Sequence, residues 1–306
     1  MFQIYLPIAE LSVSVLVLLA MGGGVGFLSG LFGIGGGFLL TPLLIFIGVP
    51  PGIAVGTQAN QAIASSTAGM LGHRRKRNVD VRLGCVMLLG GALGTLVGSA
   101  LFGWFTSLGQ VDFIIAVLYV VFLGGIGVLM LYESLRATLR RRVNPGQMLA
   151  PRQVPRLLQK LPFRRVFPAS SLEISLLIPV GIGFVAGITT VLLGLGGSLL
   201  VPAMIYVMAM PAAFVAGTSL FQVMFTSIAA TFFHATTHHT VDLVLALPLM
   251  LGSVLGAQVG TRFAGRLRPD VARLVLAIIV LGVALRLFVV LTVPPEMPFA
   301  WEAIQP

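Results

Sequence analysis

Two glycine clusters carry the strongest chemical signal in this chain: Gly33-Ile34-Gly35-Gly36-Gly37 and Gly194-Leu195-Gly196-Gly197. Each follows a long apolar run and precedes a short apolar stretch with a proline inside it, Pro42 or Pro202. Glycines in series break a helix and free backbone N–H groups. At the start of the next helix, those N–H groups and the positive dipole end form an anion site that needs no formal charge. The expected backbone contacts are Gly33, Gly35, Gly36 and Gly37, then Gly194, Gly196 and Gly197. A second set of donors follows each cluster. Thr57, Gln61 and Ser65 fall at i, i+4 and i+8, and Thr218, Gln222 and Thr226 repeat that spacing. On a helix each trio makes one stripe, and hydroxyls and amides donate hydrogen bonds to oxyanions. Thr57, Gln61, Thr218 and Gln222 are the expected substrate contacts, with Gln58, Asn60, Ser66, Ser219 and Ser227 nearby. Ordinary helix–helix hydrogen bonding is the competing use of these residues.

Other chemistry finds less support. Arg286 is the one Lys or Arg well inside an apolar run; it could meet an anion or snorkel to the membrane surface. His234, His238 and His239 cluster, but only Asp242 stands near to complete a metal set, so a polar outer loop is the expectation and no metal or cofactor is expected. The single cysteine, Cys85, excludes an internal disulfide and reads as packing. A nucleotide reading of the glycines fails: Phe38 stands where a P-loop needs lysine, and no acid occurs between Glu10 and Asp80. No acid–base pair lies in the apolar runs, so no enzyme is expected.

The elements that must hold these residues are membrane spans. The 306 residues are 57% hydrophobic and 9% charged, with a mean hydropathy of +1.04; soluble domains carry about 25% charged residues. Runs such as 11–20 and 114–131 do not alternate as barrel strands would. The chain divides into apolar segments at about 8–32, 37–49, 53–72, 83–103 and 113–132, then 172–193, 198–209, 212–233, 243–262 and 271–293. Segments 37–49 and 198–209 reach roughly 20 Å as helix, short of a bilayer core of about 30 Å. The first residues lack a basic stretch before the apolar run, which predicts a retained first span.

The halves repeat. Gly36, Gly37 and Pro42 match Gly196, Gly197 and Pro202; Gly56 and Thr57 match Gly217 and Thr218. Gln61 falls on Gln222, His73 on His234, and Gly90, Gly94 and Gly98 on Gly252, Gly256 and Gly260. These last stripes, with Gly22, Gly26 and Gly30, read as close helix packing. The net charge of +10 sits in loops, with all but Arg286 of the 19 basic residues within 74–82, 136–165 and 262–273. Such clustering sets membrane orientation and favours anionic lipid over nucleic acid as the neighbour. The loop at 74–82 is basic while its counterpart, 234–242, holds no Lys or Arg; the bias reverses in the next pair of loops. That predicts an all-α polytopic membrane protein of two inverted-topology repeats, each of about five helical segments with a glycine break before a short half-helix. The expected layout is a first repeat at 8–133, a basic cytoplasmic linker at 134–171 and a second repeat at 172–293, with both termini outside. Within the linker, 155–167 mixes Leu and Phe with Arg and Lys, as a leaflet-bound segment or a solvated connector would.

At these residues the chain resembles the TauE/SafE family of membrane permeases. The carrying motifs are Gly26-Phe27-Leu28-Ser29-Gly30 leading into the first glycine cluster, Pro42 and Gly56-Thr57. The second copies are Gly183-Phe184-Val185-Ala186-Gly187, the second cluster, Pro202 and Gly217-Thr218. The second cluster is one glycine shorter, ending in Ser198, and the basic linker is long. The resemblance implies a plasma-membrane transporter of small sulfur-containing or organic anions, with sulfite and sulfonate export as the usual assignments. An anion channel and a non-transporting scaffold remain as alternatives, and the sequence sets no oligomeric state.

Overall fold

The computed structural model describes residues 3–143, 162–264 and 269–292. A small hairpin, β1 (Gln3–Leu6) and β2 (Leu11–Ser14), precedes helices α1 (Val15–Phe32), α2 (Gly37–Phe46), α3 (Pro51–Arg75), α4 (Val81–Ser107) and α5 (Val111–Val143). The pattern then recurs: β3 (Arg164–Phe167), β4 (Leu172–Ser175), α6 (Leu177–Leu193), α7 (Gly196–Tyr206), α8 (Ala212–Thr236), α9 (Leu243–Phe263) and α10 (Pro269–Thr292). Six helices are long and apolar enough to cross a membrane: α1, α4, α5, α8, α9 and α10. The chain is thus an all-α polytopic membrane protein with two minor hairpins. Helix ends follow local chemistry. Gly33 and Gly194 close α1 and α6 with φ of +74° and +65°, a conformation that L side chains adopt at a cost. Pro50 and Pro211 stand immediately before α3 and α8, and Asp80 and Asp242 cap α4 and α9.

The repeats exchange elements. Helix α1 packs along α9 of the other repeat, and α6 packs along α4. Gly22, Gly26 and Gly30 face the backbone of Leu249, Ser253 and Ala257, while Gly183 and Gly187 face Met87 and Gly91. Partner numbers rise together, so both pairs run parallel, and a Cβ at any of these glycines would strike backbone. The stripes at Gly90, Gly94 and Gly98 and at Gly252, Gly256 and Gly260 complete the same interfaces. At the centre, α3 and α8 run antiparallel. Thr57, early in α3, meets Asp242, just past the end of α8; Thr218, early in α8, meets Asp80, past the end of α3. Leu89, Leu93, Leu247, Leu251, Leu255 and Leu285 stand exposed on the outside, as a lipid-facing belt requires.

Each hairpin is pinned by the acid of the opposite repeat. Asp242 Oδ2 accepts from the Ile8 and Ala9 N–H groups at 3.1 and 3.4 Å, while its Oδ1 caps α9. Asp80 Oδ2 accepts from the Ser170 N–H and hydroxyl at 3.2 and 2.7 Å, while its Oδ1 caps α4. The hairpins correct two segment boundaries: residues 8–14 and 172–175 are turn and strand, not the start of spans. They also cut into the linker, because α5 runs on to Val143 and β3 begins at Arg164. Of the mixed segment 155–167, residues up to 161 lie outside the described residues, and 164–167 are strand. The matching of Gly26 and Gly30 with Gly183 and Gly187 is also corrected. Gly22 and Gly26 occupy those equivalent positions, one helical turn earlier. Cys85 is exposed on α4, not packed in the core.

Candidate functional site

The two helix breaks meet at the centre of the bundle. A Cβ on Gly197 would collide with the Ile34 carbonyl, and one on Gly37 with the Gly194 carbonyl. Gly37 and Gly197 thus touch the opposite break with no hollow between them, while Gly33 faces Ala216, Gly35 faces Val223 and Gly196 faces Thr190. Side chains from α3 fill the remaining space. Gln61 lies against Gly36, where a Cβ would come within 2.5 Å of both its Oε1 and Nε2. Gln58 lies between Gly37 and Gly194. Both side chains are fully buried, and neither has a hydrogen-bond partner on either amide atom. Buried polar groups are nearly always paired, so two unpaired amides beside a broken helix call for a functional explanation.

The equivalent groups of the second repeat are partly or fully engaged. Ser219, at the position of Gln58, donates to the Gly33 carbonyl at 2.5 Å. Gln222 Nε2 donates to the Met87 carbonyl at 3.2 Å, leaving Oε1 bare. Thr57 and Thr218 are equivalent in both repeats: each hydroxyl oxygen accepts the N–H of an aspartate, Asp242 or Asp80, at 3.0 Å. Each keeps its own proton to donate. Ser65 and Thr226 turn back to carbonyls of their own helices. Of the two polar stripes, Gln61 carries two bare amide atoms at the first break, and Gln222, whose amide lies against Met87 and Gly91 of α4, carries one.

A cavity of about 360 Å³ lies beside the first break. Ile34 forms part of its wall; Pro202 and Val201 of α7, Met130 of α5 and Leu276 of α10 add apolar surface. His73, Lys76 and Asn78 supply polar groups at the end where α3 stops. A narrower extension shares Ile34, Val201 and Pro202 and reaches Phe38 and Ser198, the first turns of both short helices.

The paired histidines hold matching carbonyls. His73 Nε2 donates to Gly30 O at 3.1 Å, and His234 Nε2 to Val191 O at 3.0 Å. His234 is buried within α8, not in a polar outer loop as expected, and its Nδ1 meets the Thr240 hydroxyl. With both ring nitrogens occupied, it has none left for a metal; His238 Nε2 lies 3.1 Å from the Ser99 hydroxyl. Burial holds the His238 pKa below the usual imidazole value, the Ser99 contact opposing and His239 adding to that shift. Arg286 is not at the breaks. It is exposed and lies over the Phe46 ring at 4.3 Å, at the far end of α2.

Sequence reasoning missed four contributors. Tyr119 of α5 is fully buried and donates to the Leu193 carbonyl at the second break, with no motif to announce it. Asp80 and Asp242 stood before apolar runs, a readable capping signal, but their grip on the hairpins was not readable. Gln58 was noted only as a neighbour of the stripe.

This architecture defines a polytopic helical membrane protein with two facing helix breaks, the arrangement in which transporters build their sites. The family model described as "Sulfite exporter TauE/SafE" matches residues 18–287, and the chain belongs to that family. It is 31% identical over 280 residues to the "Probable membrane transporter protein YjnA" of Bacillus subtilis (strain 168), covering 90% of this chain and all of that protein. It is 30% identical over 277 residues to a "Probable membrane transporter protein" of Xylella fastidiosa (strain Temecula1 / ATCC 700964), covering 89% of this chain and 94% of the relative. No solved structure gives a significant match. The protein is a membrane transporter and not an enzyme.

Proposed function

We propose that this transporter moves a small sulfur-containing or organic anion, of the sulfite or sulfonate kind, by alternating access between two inverted repeats in the plasma membrane. The observation that carries the proposal is the pair of fully buried, unpartnered amides, Gln58 and Gln61, held against both helix breaks. An amide site without lysine or arginine binds an anion by directed N–H groups and lets it go again. The antiparallel meeting of α3 and α8, equivalent helices of the two halves, supports inversion. The basic loop at 74–82 supports a cytoplasmic location for the cavity end. In this reading the structure is open inward, with the centre closed by Gln58 and Gln61.

Membrane potential favours export. Moving one negative charge outward from a negative interior gains about 2.3 kcal/mol per 100 mV, so no coupling ion is required. The test is efflux of labelled sulfite from proteoliposomes under an inside-negative potential. Faster release than from protein-free vesicles, slowed by Gln61→Ala, is expected. Release no faster than the control would overturn the proposal.

A further inference from the structure

Among the described residues, one buried titratable nitrogen is left without a partner, and its residue, His73, lines the cavity. The His73 side chain is 4% exposed, and its Nδ1 has no partner. Because Nε2 faces the Gly30 carbonyl, which can only accept, Nε2 carries the ring proton and Nδ1 of the neutral ring is a bare lone pair. His234 has the same arrangement, but there Thr240 occupies Nδ1. The aligned position in the first repeat is Asn78, which lines the cavity beside His73. One repeat therefore caps this nitrogen; the other leaves it buried and unpartnered, on a residue that lines the cavity.

We infer that the cavity is a binding site for an organic anion with an apolar body, whose head takes the His73 Nδ1 position together with one proton. The inference rests on the transporter reading above and deepens it. The walls formed by Ile34, Val201, Pro202, Ile205 and Leu276 suit an alkyl chain. An anionic head cannot share Nδ1 with a lone pair. It binds there once the ring takes a proton from solvent, and the imidazolium then donates to it. The other titratable groups lining the cavity are Lys76 of α3 and Tyr206 of α7; the lining residues of α1, α5, α8 and α10 carry none. The Lys76 ammonium is anchored on the Thr261 and Ala264 carbonyls at 2.6 and 3.4 Å. It repels a positive ring in the empty cavity and attracts the anion, so proton and anion arrive together. Arg74, Arg75 and Arg77 are exposed, and the Asp80 carboxylate is directed to Leu83 and Ser170.

The probe is hexanesulfonate, whose head does not titrate, bound to the purified full chain and followed by calorimetry across about pH 5.5 to 8.5, where an imidazole titrates. Affinity should fall by about tenfold per pH unit at the alkaline end, with about one proton taken up per ligand when two buffers of different ionisation heat are compared. Lengthening the probe from ethanesulfonate should tighten binding about threefold to fourfold per methylene. His73→Gln keeps an Nε2–H for Gly30 and lacks Nδ1, so its binding should be weak and independent of pH. The wild-type proton count decides the matter if that variant does not fold. Binding without proton uptake, or a His73→Gln variant with the wild-type pH slope, overturns the inference. Sulfite efflux from proteoliposomes without hexanesulfonate binding overturns the inference and leaves the transporter reading standing. Loss of both overturns both.

Discussion

Replacing Gln61 with methionine should make the protein more stable and stop transport. Gln61 is fully buried, and neither amide atom has a partner. An unpaired buried polar group costs about 1–3 kcal/mol. Methionine has nearly the same length, no such atoms and enough flexibility to fill the same space. Removing two unpaired groups gains about 2–6 kcal/mol, and imperfect repacking takes back up to about 1.5 kcal/mol. A net gain of about 2 kcal/mol raises the melting temperature by about 3 °C in a chain of 306 residues. Gln222→Met is the matched control. There the gain from removing a bare Oε1 is offset by loss of the bond to the Met87 carbonyl, so little change is expected. Melting can be followed by intrinsic fluorescence, and efflux by labelled sulfite in proteoliposomes. A lower melting temperature for Gln61→Met would mean that the amide is satisfied and structural. A stabilised Gln61→Met that still exported sulfite would remove Gln61 from the transport site.

Four further outcomes follow from the fold. Asp242→Ala leaves the N–H groups of Ile8, Ala9, Val244 and Leu245 without their acceptor; it should cost about 3–5 kcal/mol and loosen the first hairpin in hydrogen exchange. Asp80→Ala should do the same at Ser170 and the second hairpin. Gly26→Val would drive a side chain into the Ser253 backbone and should abolish folded protein in gel filtration, whereas Gly24→Val, with nothing within 4 Å, should be tolerated. His238 has a lowered folded-state pKa, so the folded protein binds fewer protons than the unfolded chain as pH falls. Its contribution to stability is full above the unfolded value of about 6.5 and is lost as pH drops below it. A pH series of melting temperatures should show this decline, and His238→Gln should flatten it.

The helices were readable because their signals are long: apolar runs punctuated by prolines and ordered glycines. The breaks were readable because Gly33 and Gly194 need a left-handed backbone that few other residues accept. Strands β1 to β4 were not, since four residues are too few for alternation to register. The slip in matching Gly26 with Gly183 has a geometric cause. Glycines spaced every four residues look the same after a shift of one turn, and only the facing helix fixes the register. Cys85 was misjudged because lipid-facing and core-facing positions are both apolar in a span, so composition does not tell the faces apart. The exchange of α1 and α6 between repeats lies beyond any single-sequence pattern, because the pairing of α1 with α9 leaves no local trace.

The two repeats carry matching residues in unequal bonding states, and under the proposed alternating access the inequality separates frame from moving parts. Asp80 and Asp242 grip their hairpins alike, and Thr57 and Thr218 accept the same bond at the same distance. Groups that are equal at both ends have nothing to exchange when the ends trade roles, so they belong to the frame. Gln61 and Gln222 differ, and so do His73 and His234; the members with more bare atoms lie in α3, one of the helices that border the cavity. Under the proposed alternating access, exchanging these states between the repeats moves the cavity to the opposite end at little net cost, because one set of unpaired groups replaces another. A ligand that satisfies the bare amides in passing lowers the cost of the state it occupies. In the proposed cycle it thereby biases the balance between the two states.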